Sequence, residues 1–95
     1  MPVPADFQAL LDVTHQGGQV EIVARAAAAP PRLLRWRMVV QTQSGSGQSQ
    51  TVQSGTSRGG PDPVARVRVN NPGDVVLEVS AEDGRKVSAR REFRP

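Results

Sequence analysis

Few residues of this chain could take part in acid–base or metal chemistry. His15 is the single histidine and cysteine is absent, which excludes a zinc site built from those two residue types. His15 directly precedes the turn signal Gly17-Gly18, and no serine is placed to use it as a catalytic base. Glu82 and Asp83 are the only adjacent carboxylates, and they precede a glycine as turn residues often do. We therefore expect no catalytic residue, no metal site, no cofactor and no enzyme activity.

A glycine-rich stretch, GSGQSQTVQSG at 45–55, raises the question of a phosphate-binding loop. It lacks the Gly-Lys-Ser/Thr ending, and the pattern predicts no following helix whose N-terminus could hold an anion. We interpret SGSG at 44–47 as a turn.

Arginine dominates the charged residues, supplying eleven of the twelve basic side chains. Arg35 and Arg37 share one face of a predicted strand, and Arg66 and Arg68 share a face of another. We expect the two pairs on opposite outer faces of the domain. Two interpretations stay open. They could be ordinary solvated faces that offset Glu78 or Glu21, or a basic stripe that attracts an acidic chain.

The net charge limits which classes of partner are expected for this protein. The formal charge is +3 although the pI is about 11.0, because almost nothing titrates between neutrality and the Arg pKa. Nucleic-acid binding is possible on charge, but Phe7, Trp36 and Phe93 are the only aromatic residues and stacking on bases usually needs several. We expect no nucleic acid and no membrane insertion.

The elements that must position these residues are strands. Apolar residues alternate with polar ones throughout, and Gly, Pro and Asn clusters recur about every ten residues. This pattern predicts an all-β fold, a seven-stranded antiparallel Ig-like β-sandwich. The short SGSG turn makes strands 3 and 4 a hairpin, giving sheets of strands 1-2-5 and 7-6-3-4 with strand 4 at an edge.

The third predicted strand carries the core. Leu34, Trp36, Met38 and Val40 share one face, and Ig-like sandwiches often bury a Trp at this position. Core packing is the expected role of Trp36, with a binding-site role as the alternative.

Residues 41–57 have no charge and a single aliphatic side chain, Val52. Edge strands are normally protected by charge, Pro or a bulge. This one could be a mobile, solvated hairpin, or an edge that offers backbone hydrogen bonds to an extended segment while Gln and Ser side chains match a polar amyloid strand.

The 95 residues predict one domain spanning 1–95, with a structured core at 6–94 and a flexible segment at 1–5. No apolar run reaches the roughly twenty residues of a membrane helix. MPVPADFQ is not a signal peptide. The chain is therefore either cytosolic or a mature secreted domain whose leader was replaced by a start Met.

Several of these segments together resemble a known family. A basic Trp-containing strand leads into SGSGQSQTVQSG at 44–55, and QGGQV at 16–20 and VVLEVSAEDG at 75–84 extend the likeness. The sequence resembles the CsgH family, small periplasmic chaperones of the curli system that are related in fold to CsgC. The CsgC branch carries a Cys-x-Cys pair that this chain lacks, so no redox role is carried over.

The resemblance implies a periplasmic protein with an Ig-like sandwich and no cofactor, and we expect it to be a monomer whose leader was removed. Such a protein would make brief, substoichiometric contact with the curli subunit, a CsgA-like protein, and prevent premature amyloid polymerisation. A structural Ig-like module of an envelope complex is the alternative. Our candidate client-binding residues are Arg35 and Arg37 with Gln48, Gln50 and Gln53, and, as a second choice, Arg66 and Arg68.

Overall fold

A computed structural model describes residues 6–44 and 47–93 of the chain. They form seven strands, β1 to β7 in order along the chain: Phe7–Gln16, Gln19–Ala28, Leu34–Ser44, Gly47–Ser57, Ala65–Val69, Pro72–Ala81 and Lys86–Arg91. The predicted flexibility of 1–5, the tip of the SGSG turn at 45–46 and the predicted boundary at 94 lie outside the described residues.

The strands form two antiparallel sheets. Sheet 1 has the order β1-β2-β5, and sheet 2 has the order β4-β3-β6-β7. The predicted β-sandwich and its strand order are confirmed, including the place of β4 at an edge of sheet 2. Within the described residues, no helix is long and apolar enough to cross a lipid bilayer.

The core lies between the sheets and follows the period-two pattern of the sequence. In β3 the predicted core face is correct: Leu34, Met38 and Val40 are fully buried and Trp36 is 9% exposed. In the neighbouring strand β6, the residues paired with Val40, Met38 and Trp36 are also fully buried: Val75, Leu77 and Val79. Sheet 1 completes the core with Phe7, Val20, Ile22, Ala24, Ala26 and Ala65.

Candidate partner-binding surface

The edge strand β4 is exposed on both of its faces. It pairs with β3 along its whole length, from Ser44↔Gly47 to Leu34↔Ser57, and its side chains are exposed except for the half-buried Gln53 and Ser57. Sheet 1 has three strands and sheet 2 has four, so β4 overhangs the sandwich. A polar, uncharged composition suits a strand that has water on both faces.

The register separates the three candidate glutamines. Gln50 lies opposite Gln41 and Gln48 opposite Gln43, so alternation places both on the outer face of sheet 2. Gln53 lies opposite the buried Met38 and therefore on the inner side. All three belong to the edge strand, but only Gln48 and Gln50 share a face with Arg35 and Arg37.

Arg35 and Arg37, here called the basic pair, are exposed on that outer face. Arg37 lies opposite Glu78 of β6, but the Glu78 carboxylate contacts the Nζ of Lys86 at 3.4 Å. Within the described part of the chain, neither arginine of the basic pair makes an ion pair. Their charges are therefore available to a partner.

A groove of about 570 Å³ adjoins the basic pair. Arg35 lines it together with Leu33, Ser80 and Glu82, and Leu33 is 37% exposed. The outer face of sheet 2 thus combines positive charge with a concave, partly apolar end.

Arg66 and Arg68 lie on the outer face of sheet 1, as predicted, because Ala65 between the sheets fixes the alternation of β5. The Nε of Arg68 donates to Glu21 Oε2 at 3.0 Å across the β2–β5 pair. Arg68 is therefore charge-compensated in the way the sequence analysis allowed. The two arginine pairs therefore differ. Arg68 has an anionic partner and Arg66 has none among the described residues, whereas both members of the basic pair lack one there.

Sequence reasoning missed an apolar row beside the basic pair. Val39 of β3 lies between Val52 of β4 and Val76 of β6. Val52 is 46% exposed, and the other two are half-buried. Strand alternation could have revealed part of this row, because Val39 lies on the same face of β3 as Arg35 and Arg37.

A cluster of charges at one corner was also missed. Arg32 Nη1 donates to Asp6 Oδ2 at 2.6 Å, and Arg85 Nε donates to Asp83 Oδ2 at 2.7 Å. Arg85 also reaches Asp6 at 3.3 Å. Both guanidinium groups stand over the ring of Phe7, at 5.9 and 5.4 Å from its centroid. This corner cluster joins the start of β1, the β2–β3 connection and the β6–β7 turn.

The corner cluster lowers the pKa of one of its carboxyl groups, that of Asp83. The backbone N–H of Arg85 donates to Asp83 Oδ1 at 3.1 Å and lowers the pKa of Asp83 below its ordinary 3.8; partial desolvation opposes this, and the Arg85 and Arg32 guanidinium groups reinforce it. These contacts join three separate parts of the chain over Phe7, and we call the cluster a clasp for that reason.

A second concavity lies at the open side of the sandwich. The indole of Trp36 crosses Gly55 of β4 so closely that a Cβ there would stand 3.1 Å from its Cζ2 and Nε1 atoms. Next to it is a cleft of about 370 Å³. It is lined by Trp36 of β3, by Gly55, Thr56 and Ser57 of β4, and by Gly60, Asp62, Pro63 and Val64 of the β4–β5 connection. We call it the Trp36 cleft.

The remaining candidates are not assembled into a site. His15 is exposed near the end of β1, opposite Val20. In residues 6–44 and 47–93, no group of three or more His, Cys, Asp or Glu side chains could hold a metal ion.

Comparison with known proteins identifies the architecture. No family model and no curated protein sequence matches the chain. Two solved structures do. R. palustris CsgH superposes with a TM-score of 0.70 at 16% identity, over 90% of this chain and 91% of that one. The E. coli curli protein CsgC superposes with a TM-score of 0.69 at 20% identity, over 94% and 99%. The chain has the CsgH/CsgC fold.

The CsgH/CsgC likeness covers the whole sandwich, and the resemblance found in the sequence is confirmed at the level of fold. At 16–20% identity the likeness concerns the backbone. The roles of the basic pair, of β4 and of the Trp36 cleft are therefore argued from this chain's own surfaces.

Proposed function

We propose that this protein is a periplasmic chaperone that delays amyloid polymerisation of a curli subunit. It captures an acidic, Gln/Asn-rich segment of the subunit through the basic pair and covers a nascent β-strand of that segment with β4. Support comes from the shared fold with CsgH and the curli protein CsgC and from the surfaces described above. The proposed partner is a CsgA-like subunit, and no cofactor is required.

One observation carries the proposal: β4 is an eleven-residue edge strand with no covering element among the described residues. An exposed edge pairs readily with another extended chain. Covering the growing end of a client strand in this way would block the addition of the next client molecule.

The expected contact is weak. Each main-chain hydrogen bond contributes about 1 kcal/mol net, whereas ordering the client backbone costs about 1–2 kcal/mol per residue. Edge pairing alone therefore does not hold a disordered client. Side-chain contacts must add to it, and the basic pair and the row of Val39, Val52 and Val76 lie on the adjoining face. A short-lived contact with rare early species is compatible with substoichiometric action.

The basic pair attracts an acidic client chain electrostatically before contact is made. Its two charges are exposed, so each contact with a carboxylate is worth less than about 1 kcal/mol and falls as salt screens it over about 8 Å. Its main effect is on the rate of encounter with an acidic chain.

The test is a thioflavin-T time course of purified curli subunit with a substoichiometric amount of this protein. The wild type is expected to lengthen the lag greatly, and the double variant Arg35→Glu/Arg37→Glu to lose that effect. Circular dichroism and thermal melting check that the variant is folded.

The matched control is Arg66→Glu/Arg68→Glu. It changes the net charge by the same amount, and each double variant sets a new Glu opposite an existing one, at Glu78 or at Glu21. The control should keep inhibition. Equal loss in both variants would mean that net charge matters and the basic pair does not; no delay by the wild type at equal concentration would refute the chaperone function.

A further inference from the structure

The indole N–H of Trp36 lacks a partner although the side chain is more than nine-tenths buried. Trp36 is 9% exposed, and its Nε1 donates to no described residue. No unpaired side-chain N or O atom is fully enclosed in the described part of the protein, so this N–H reaches the surface. Trp36 lines the Trp36 cleft together with Gly55, whose missing Cβ would lie 3.1 Å from Nε1. A buried Trp normally finds an acceptor for its N–H.

Gly55 opens this side of the ring. The indole atoms nearest the missing Cβ are Cζ2, Nε1 and Cε2, which form the N–H edge of the ring. Any larger residue would cover that edge. Because β4 is the last strand of sheet 2, the uncovered edge of the indole lies beside the free side of β4.

The β4–β5 connection contributes an acceptor to the same cleft. Asp62 is exposed, lines the cleft and makes no ion pair or hydrogen bond with the described residues. Ser57 is already engaged, since its Oγ accepts from the backbone N–H of Gly59 at 3.1 Å. Pro63 and Val64 supply apolar surface. The cleft therefore combines one free donor, one free carboxylate and an apolar floor.

We propose that the Trp36 cleft binds a carboxamide side chain, Gln or Asn, of the extended segment that pairs with β4. This proposal rests on the edge pairing of the proposed function and names a side-chain specificity for it. The amide oxygen accepts from Trp36 Nε1–H and the amide NH₂ donates to Asp62.

Charged and aliphatic side chains each fail one of these contacts. A carboxylate can accept from the indole but is repelled by Asp62. An ammonium or guanidinium can pair with Asp62 but offers no acceptor. An aliphatic side chain leaves the indole N–H unpaired in a dried cleft, which is costly. An amide carries its donor and its acceptor on two separate atoms at the end of one short stem, whereas a Ser or Thr hydroxyl carries both on a single oxygen.

Strand addition brings such a side chain to the cleft. A segment paired with the free edge of β4 places alternate side chains on the inner face of sheet 2. The client residue beside Gly55 on that face stands next to the indole, with no Gly55 side chain between them. The side chain of the client residue at the position beside Gly55 is therefore expected to determine how well the segment binds.

The experiment uses the ¹⁵N-labelled 95-residue chain, whose single Trp gives one indole N–H resonance. The probes are blocked peptides of Ser and Thr with one central guest: Gln, Glu or Leu. The Gln peptide should shift the β4 amides and move the indole proton downfield. The Leu and Glu peptides should bind about fivefold more weakly, the factor expected for one neutral hydrogen bond, and should not move the indole proton downfield.

Two variants sharpen the test. Trp36→Phe keeps a ring but removes the donor, and should abolish the preference for Gln over Leu. Asp62→Asn, at an exposed position that does not threaten folding, should remove the penalty on the Glu guest. Equal β4 shifts for all three guests with a static indole resonance would overturn the cleft proposal and leave edge pairing intact. Absence of β4 shifts with every peptide would overturn both.

Discussion

The two sides of this sandwich are built differently. On one side β1 packs against β7 and β6, and the corner cluster ties their ends over Phe7. On the other side β4 overhangs, with both faces in water, and a cleft separates it from the β4–β5 connection. The closed side supplies stability. The open side exposes a strand edge, two uncompensated arginines and an indole N–H, and our proposals rest on these groups.

The tether between the two sides lies at one end of β4. The backbone N–H of Ala28 donates to Gly59 O, and that of Arg32 to Arg58 O, both at 3.1 Å. These bonds fasten the chain just after β4 to the β2–β3 end of the molecule. Along its length β4 pairs with β3, from Ser44↔Gly47 to Leu34↔Ser57.

The substitution with the largest expected effect removes a core side chain from the closed side. Phe7→Ala removes a ring that is 1% exposed and lies beneath two guanidinium groups, and should cost about 3–5 kcal/mol in the free energy of unfolding. The matched change on the open side, Val52→Ala, removes a 46% exposed side chain and should cost less than about 0.5 kcal/mol. Urea denaturation measures both, and similar costs would refute the division of roles between the sides.

The next effect tests the tether. Gly59 has φ +83°, and a Cβ there would lie 2.5 Å from Ala28 Cβ and 2.6 Å from Ala28 N. Gly59→Ala should destabilise by at least about 2 kcal/mol, through left-handed strain and loss of the bond from Ala28. Gly60→Ala is the control, because its Cβ meets nothing within 4 Å, and it should change stability by less than about 1 kcal/mol. A neutral Gly59→Ala would show that the tether is dispensable.

Sequence patterns predicted the closed interior better than the open surface. Alternation in β3 identified Leu34, Trp36 and Met38 as core residues, because a buried face imposes period two on the residue types. The edge position of β4 followed from the SGSG turn. The side of Gln53 and the meeting of Trp36 with Gly55 depend on the β3–β4 register, in which Ser44 lies opposite Gly47. The sequence analysis assigned no register to this pair of strands, and counting outward from Ser44 and Gly47 would have revealed both.

The corner cluster could not be predicted in the same way. Arg85 meets Asp6 across 79 positions of sequence, and Arg32 meets it across 26. No local pattern reports such pairings, since they depend on how three connections converge in space. The sequence analysis saw only a turn at Glu82-Asp83-Gly84, and missed that Asp83 also closes a clasp over Phe7.

The smallest expected effect is the contribution of the clasp to thermal stability, which is measured as a function of pH. The pKa of Asp83 is lower in the folded protein than its ordinary 3.8, so ionised Asp83 stabilises the fold above its unfolded pKa, and this contribution disappears as pH falls through the folded pKa. Asp83→Asn keeps an acceptor for the Arg85 N–H but removes the charge. The wild type should therefore melt above the variant at neutral pH, and the gap should close in acid. Asp62→Asn, whose carboxylate has no cationic partner among the described residues, should show no such gap; a gap for Asp83→Asn that persists unchanged in acid would mean that the charge of Asp83 does not hold the corner.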